Sequence, residues 1–98
     1  MYKQDYFEKV VNVVASLSDL TAEQILGGRK TDEVTDARWV IVRILYEHGY
    51  HTSRIAMLMH MTQRNVTRVL NAFQDRLDQY DSLFKYVYQR ARVEVGSI

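Results

Sequence analysis

Five polar side chains are spaced so that they could read a nucleic acid: Gln63, Arg64, Thr67, Arg68 and Asn71. Arg64 and Arg68 stand four apart, which puts them one turn apart on the same face of a helix. Thr67 and Asn71 fall beside them, and Gln63 leads. A guanidinium can donate two bonds to guanine, and an Asn amide can pair with adenine. Two arginines at this spacing repel by a few tenths of a kcal/mol, so a purely structural helix would more naturally carry an acid there. The competing reading is an ordinary solvated face with these residues by chance. The turn that precedes them favours DNA reading. Thr62 is a helix N-cap by type, and the free amides at a helix N-terminus suit phosphate, which places Thr62 at the DNA backbone.

The elements that must position these residues follow from periodicity. Ile55, Ala56 and Met59 form the inner face of a short helix capped by Thr52 or Ser53. His60 sits where the chain must turn, and His tolerates positive φ better than most residues. Met61 is an apolar plug in that turn. Val66, Val69, Leu70, Phe73 and Leu77 then recur at helical spacing, giving a second helix over about Gln63–Leu77. The two helices and their turn, about 52–77, read as a helix-turn-helix. Arg54, at the front of the first helix, is placed to meet phosphate, because such helices cross the backbone.

Ahead of this pair, Phe7, Val10, Val11, Val14 and Leu17 mark a first helix over about Asp5–Leu17. Ser18-Asp19-Leu20 interrupts it. Thr21 with Gln24 has the form of a capping box and opens a short helix containing Ile25 and Leu26. Gly27 and Gly28 are expected to end it in left-handed conformations. Arg29 and Lys30 follow on the loop. By themselves they read as cations stabilising a helix C-terminus. Thr31 caps a third helix to about Glu47, with Gly49 as its stop. That helix carries two apolar stripes, Val34, Ala37, Ile41, Ile44 and Leu45 and then Trp39, Val42 and Tyr46, so it is expected at the centre. For Arg38 on it, a structural role as a buried ion-pair partner is favoured over a DNA contact. Leu83, Phe84, Val87, Tyr88 and Ala91 mark a last helix to about Arg92, with a frayed tail over Val93–Ile98.

The result is an all-α bundle of about six helices in one domain over 1–98, with its core over about 6–92. The chain is 47% hydrophobic, has no proline to interrupt helices and no cysteine for disulfides or thiolate zinc sites. Net charge is only +1, but between His51 and Arg76 four arginines face Asp75 alone, a local net of +3. That distribution suits a polyanionic partner and equally an ordinary solvated face that happens to be basic. No stretch is long and apolar enough to span a membrane, and no signal peptide opens the chain. His48, His51 and His60 fit no zinc spacing, so no metal or other cofactor is expected. The seven tyrosines are scattered rather than interleaved with basic residues as a single-strand binder requires. No nucleophile elbow, paired catalytic carboxylates or phosphate loop is present, and no enzyme is expected.

The ordered set resembles the C-terminal DNA-binding domain of the bacterial replication initiator DnaA. Leu20-Thr-Ala-Glu-Gln-Ile-Leu-Gly-Gly-Arg-Lys30 is similar to that family's short second helix and basic loop. Glu33-Val-Thr-Asp-Ala-Arg38 is similar to the segment that opens its long central helix. Leu77 to Arg92 is similar to its closing helix. The resemblance implies a Trp-repressor-like fold, double-stranded DNA as partner and a contact of Arg29 and Lys30 with the DNA backbone or minor groove. The chain departs from the family across the turn. The family's Gly-Gly-Arg-Asp-His-Thr-Thr-Val is replaced by His60-Met-Thr-Gln-Arg-Asn-Val-Thr-Arg-Val69, so the fold and DNA binding carry over but the initiator's sequence specificity does not. No Walker motif is present, and the ATPase portion is absent.

The expected function is sequence-specific binding of double-stranded DNA. The role would be that of a transcriptional regulator or a replication or mobile-element accessory factor in a bacterial or phage cytoplasm, associated with the nucleoid. A homodimer or a replication or transcription protein is a further possible partner. The alternative is a protein-interaction module of the same shape, dimerising through Phe84, Val87 and Tyr88.

Overall fold

The computed structural model describes residues 3–27, 31–79 and 82–96. The fold is all-α. Six helices follow in order: α1 Lys3–Ser18, α2 Ala22–Leu26, α3 Asp32–Glu47, α4 Thr52–Met59, α5 Gln63–Gln79 and α6 Ser82–Gly96. Among the described residues there is no strand. Helix α3 is central and packs on the other five. Its first stripe is buried as its spacing predicts. The second stripe is only partly so. Val42 is fully buried, Trp39 is half-buried, and Tyr46 is 48% exposed. Trp39 is covered by a cation, the Arg76 guanidinium 4.9 Å from its ring centroid.

Three helices stop in the same way. Asp19 follows α1 at φ 58°, Gly49 follows α3 at φ 103°, and His60 follows α4 at φ 56°. In each case the next amide donates back five residues: Leu20 to Ala15 O at 2.9 Å, Tyr50 to Leu45 O at 3.0 Å, Met61 to Ala56 O at 2.9 Å. This bond satisfies a carbonyl that the helix end would otherwise orphan, and the apolar residue that follows packs back on the core. Helix α2 stops differently from the expectation. Gly27 has φ −81°, not a left-handed value. It is needed there because a Cβ would lie 2.6 Å from the Glu23 carbonyl oxygen. Gly28 lies outside the described residues.

The capping box of α2 forms as read, with Gln24 N donating to Thr21 Oγ1 at 3.1 Å and Thr21 N to Gln24 Oε1 at 2.8 Å. Thr31 caps α3 through Val34 N at 3.2 Å.

Helix α6 departs from its reading at both ends. It runs on to Gly96, because Val95 continues the buried series of Phe84, Val87, Tyr88 and Ala91 and holds the last turn on the core. Leu83, expected in that series, is 65% exposed. The same series removes the dimer surface of the alternative reading. Phe84 and Tyr88 pack on Phe73 at 5.4 and 4.9 Å between ring centroids, and Tyr88 Oη donates to Glu47 Oε2 at 2.5 Å. Phe84, Val87 and Tyr88 are spent inside the monomer. Burial and the Glu47 carboxylate both raise the Tyr88 pKa above its usual value, so the phenol stays protonated as donor.

Candidate nucleic-acid interface

Helix α5 is divided by what its two sides touch. Val66, Val69 and Phe73 are buried, and Leu70 and Leu77 are half-buried beside them. The opposite side is exposed. Arg64, Thr67, Arg68 and Asn71, with Ala72 and Asp75, line one shallow open depression. Among the described residues none of the four polar side chains read from the sequence makes an internal hydrogen bond or ion pair. Three and four residues apart, they form a single row about two turns long.

The N-terminal end of α5 is braced. Thr62 Oγ1 accepts from Asn65 N at 3.1 Å, so Thr62 is the cap its type predicts, and its hydroxyl hydrogen remains a donor. Gln63 does not simply extend the exposed row. Its Nε2 donates to Thr52 Oγ1 at 2.8 Å, tying the start of α5 to the start of α4. Gln63 therefore holds the two helices together, and its carbonyl oxygen is what it can offer outward. Thr52 can accept this bond because it is not the cap of α4. His51 is: its Nδ1 accepts from Ser53 N at 3.1 Å. The cap assigned to Thr52 or Ser53 is thus corrected by one residue. An imidazole nitrogen without a proton does the work of a hydroxyl oxygen, and residue-type rules give it little weight.

The basic surface is narrower than the count of arginines suggests. Arg76 pairs with Asp36 of α3 and lies 4.9 and 5.3 Å from the Trp39 and Phe84 ring centroids, so its charge is engaged internally. Arg54 is half-buried. Its guanidinium lies 5.4 Å from the Tyr50 ring centroid, its Nε is enclosed without a partner, and no described carboxylate pairs with it. Stacking on the Tyr50 ring holds the guanidinium in place. Arg29 and Lys30 lie outside the described residues. Arg64 and Arg68 are the exposed cations of the α5 face, with Asp75 at its far end.

Among the described residues Arg38 pairs with no carboxylate. Its Nη1 donates to Ile25 O at 2.7 Å and its Nη2 to Met59 O at 2.5 Å. These are carbonyls at the C-terminal ends of α2 and α4, where a cation also meets the negative end of the helix dipole. Burial lowers its pKa from the usual value. Sequence spacing carries no sign of either bond, because the partners are 13 and 21 residues away.

The three histidines have separate roles. His48 stacks on Tyr6 with 3.7 Å between centroids, His51 caps α4, and His60 forms the left-handed turn at ψ 46°. Among the described residues no three His, Asp or Glu side chains gather as a metal site. The turn is testable. Left-handed backbone costs a residue with a Cβ about 1–2 kcal/mol. His60→Val is therefore expected to lower stability in urea unfolding, whereas His60→Gly should hold or raise it. Equal stabilities for the two variants would contradict the left-handed turn.

The tyrosines are packing residues in part: Tyr50 and Tyr88 are buried, Tyr6 is half-buried, and Tyr46 and Tyr86 are exposed. No described helix is long and apolar enough to cross a membrane. The chain matches no protein-family model, no curated protein sequence and no solved structure.

Proposed function

We propose that this chain binds double-stranded DNA in a sequence-specific manner, with α4, the turn and α5 acting as a helix-turn-helix. Helix α5 enters the major groove. Arg64, Thr67, Arg68 and Asn71 meet base edges, Gln63 offers its carbonyl oxygen at the leading end, and Thr62 and Arg54 meet the sugar-phosphate backbone, joined by Arg29 and Lys30. One observation carries the reading: four side chains able to read bases stand in an exposed row with no internal partner among the described residues, on a helix whose other side is locked into the core. The Gln63–Thr52 bond favours it further, since a reading helix must hold its angle against its neighbour. The resemblance to the DnaA DNA-binding domain points the same way. The corresponding role is that of a transcriptional regulator or of an accessory factor in replication or in the life of a mobile element.

The test is a mobility shift of the full chain with random-sequence duplex across a salt series. Each neutralised phosphate contributes about −0.9 to the slope of log K against log salt, and the three cations proposed for phosphate, Arg54, Arg29 and Lys30, give an expected slope on the order of −3. Absence of any shift at low salt would sink the proposal. Selection of bound duplexes from the same pool then yields the site, and a palindromic product would show that two copies bind together.

A further inference from the structure

We infer that Arg38 is the positioning residue of this surface: it sets the end of α4, and through it the turn that launches α5, against α2. The inference rests on the DNA-binding reading for its functional half. Its structural half stands on the two bonds to Ile25 O and Met59 O.

Helix α4 has eight residues and ends at Met59, and the turn from His60 to Thr62 leads directly into Gln63. At the front, α4 and α5 are braced by the Thr52–Gln63 bond. At the back, the Met59 carbonyl is held by Arg38 from the central helix. The same guanidinium holds Ile25 at the end of α2. Its two terminal nitrogens point to two different segments, and the planar fork fixes the spacing between them. No described carboxylate shares this site with Arg38. The half-buried charge is compensated by two helix-end carbonyls, which would themselves be left without those bonds if the fork were removed. A lysine keeps the charge but not the fork. Arg38 itself faces inward and is not offered as a DNA contact.

Arg38→Lys separates this role from a charge effect, and Ile25→Val supplies a control that weakens the neighbouring core without touching the guanidinium. Two readouts are made on the full chain. The first is amide hydrogen exchange at Gly27, which donates to Glu23 O, and at Met61, which donates to Ala56 O. In Arg38→Lys both amides should exchange about tenfold faster, the equivalent of one bond to a charged group. In Ile25→Val, Met61 should be unchanged. The second readout is the ratio of affinities for a duplex selected by the wild type and for its scrambled counterpart. That ratio should fall about tenfold in Arg38→Lys, while affinity for the scrambled duplex, which follows charge, stays level. Unchanged exchange at Met61 would overturn the inference. So would faster exchange with an unchanged ratio, and in that case the DNA-binding reading survives because the wild type still discriminates. If the wild type binds no duplex, the DNA-binding reading itself fails, and the positioning role fails with it.

Discussion

Alanine at Arg68 is expected to weaken binding to the selected duplex by about 1–3 kcal/mol and to relax preference at one base pair. The same change at Arg64 should relax a different, neighbouring base pair. Both side chains are exposed and without internal partners among the described residues, so neither substitution disturbs an interaction that holds the fold. Thermal stability should therefore stay close to that of the wild type. Taking away one arginine also removes some mutual repulsion from the other, so the double variant is expected to deviate from the sum of the singles. The pattern across sequences is the informative part. Removing a base-reading guanidinium at Arg68 changes discrimination, whereas removing a phosphate-binding one at Arg54 weakens all duplexes alike and flattens the salt slope by about one. If both single variants bind the selected duplex as tightly as the wild type, DNA does not lie along this face of α5.

Phe73→Ala is expected to cost about 3–5 kcal/mol of unfolding free energy, the range for removing a fully buried phenyl ring. Phe73 has no exposed surface. Its ring meets Phe84 and Tyr88 of α6, and the Arg43 guanidinium of α3 lies 5.4 Å from its centroid. Truncation leaves a void where three helices meet. A domain of this size is held by only about 5–15 kcal/mol, so the loss is a large part of the total. Urea unfolding measures it as a lower midpoint with an unchanged slope. A loss below about 1 kcal/mol would mean that α5 is not anchored through Phe73. Any fall in DNA affinity should track the unfolded fraction, because Phe73 faces away from the proposed groove.

Much of the architecture is legible along the chain. Helical spacing of apolar residues marks five of the helices, a capping box marks α2, and the spacing fails where neighbours end rather than where the period does. Leu83 keeps the period of α6 but is left exposed, and Val95 keeps it beyond the expected end. Caps are legible when they use a hydroxyl, as at Thr21, Thr31 and Thr62, and are missed when they use an imidazole, as at His51. The exposed row on α5 is legible because a helix that buries Val66, Val69 and Phe73 must turn Arg64, Thr67, Arg68 and Asn71 the other way.

What Arg54 and Arg76 touch is not legible. Only docking of α5 against α3 gives Arg76 a carboxylate 40 residues away in Asp36, and only the fold brings Arg54 over Tyr50. The same holds for Arg38, whose partners are backbone carbonyls that no residue type announces. The amino-acid sequence by itself determined the helices, their buried faces and the row of side chains turned to solvent, because these depend on periods of three and four residues. The tertiary structure decided which charges are consumed inside the fold and which helix ends are tied together, because those depend on contacts between segments far apart in the chain.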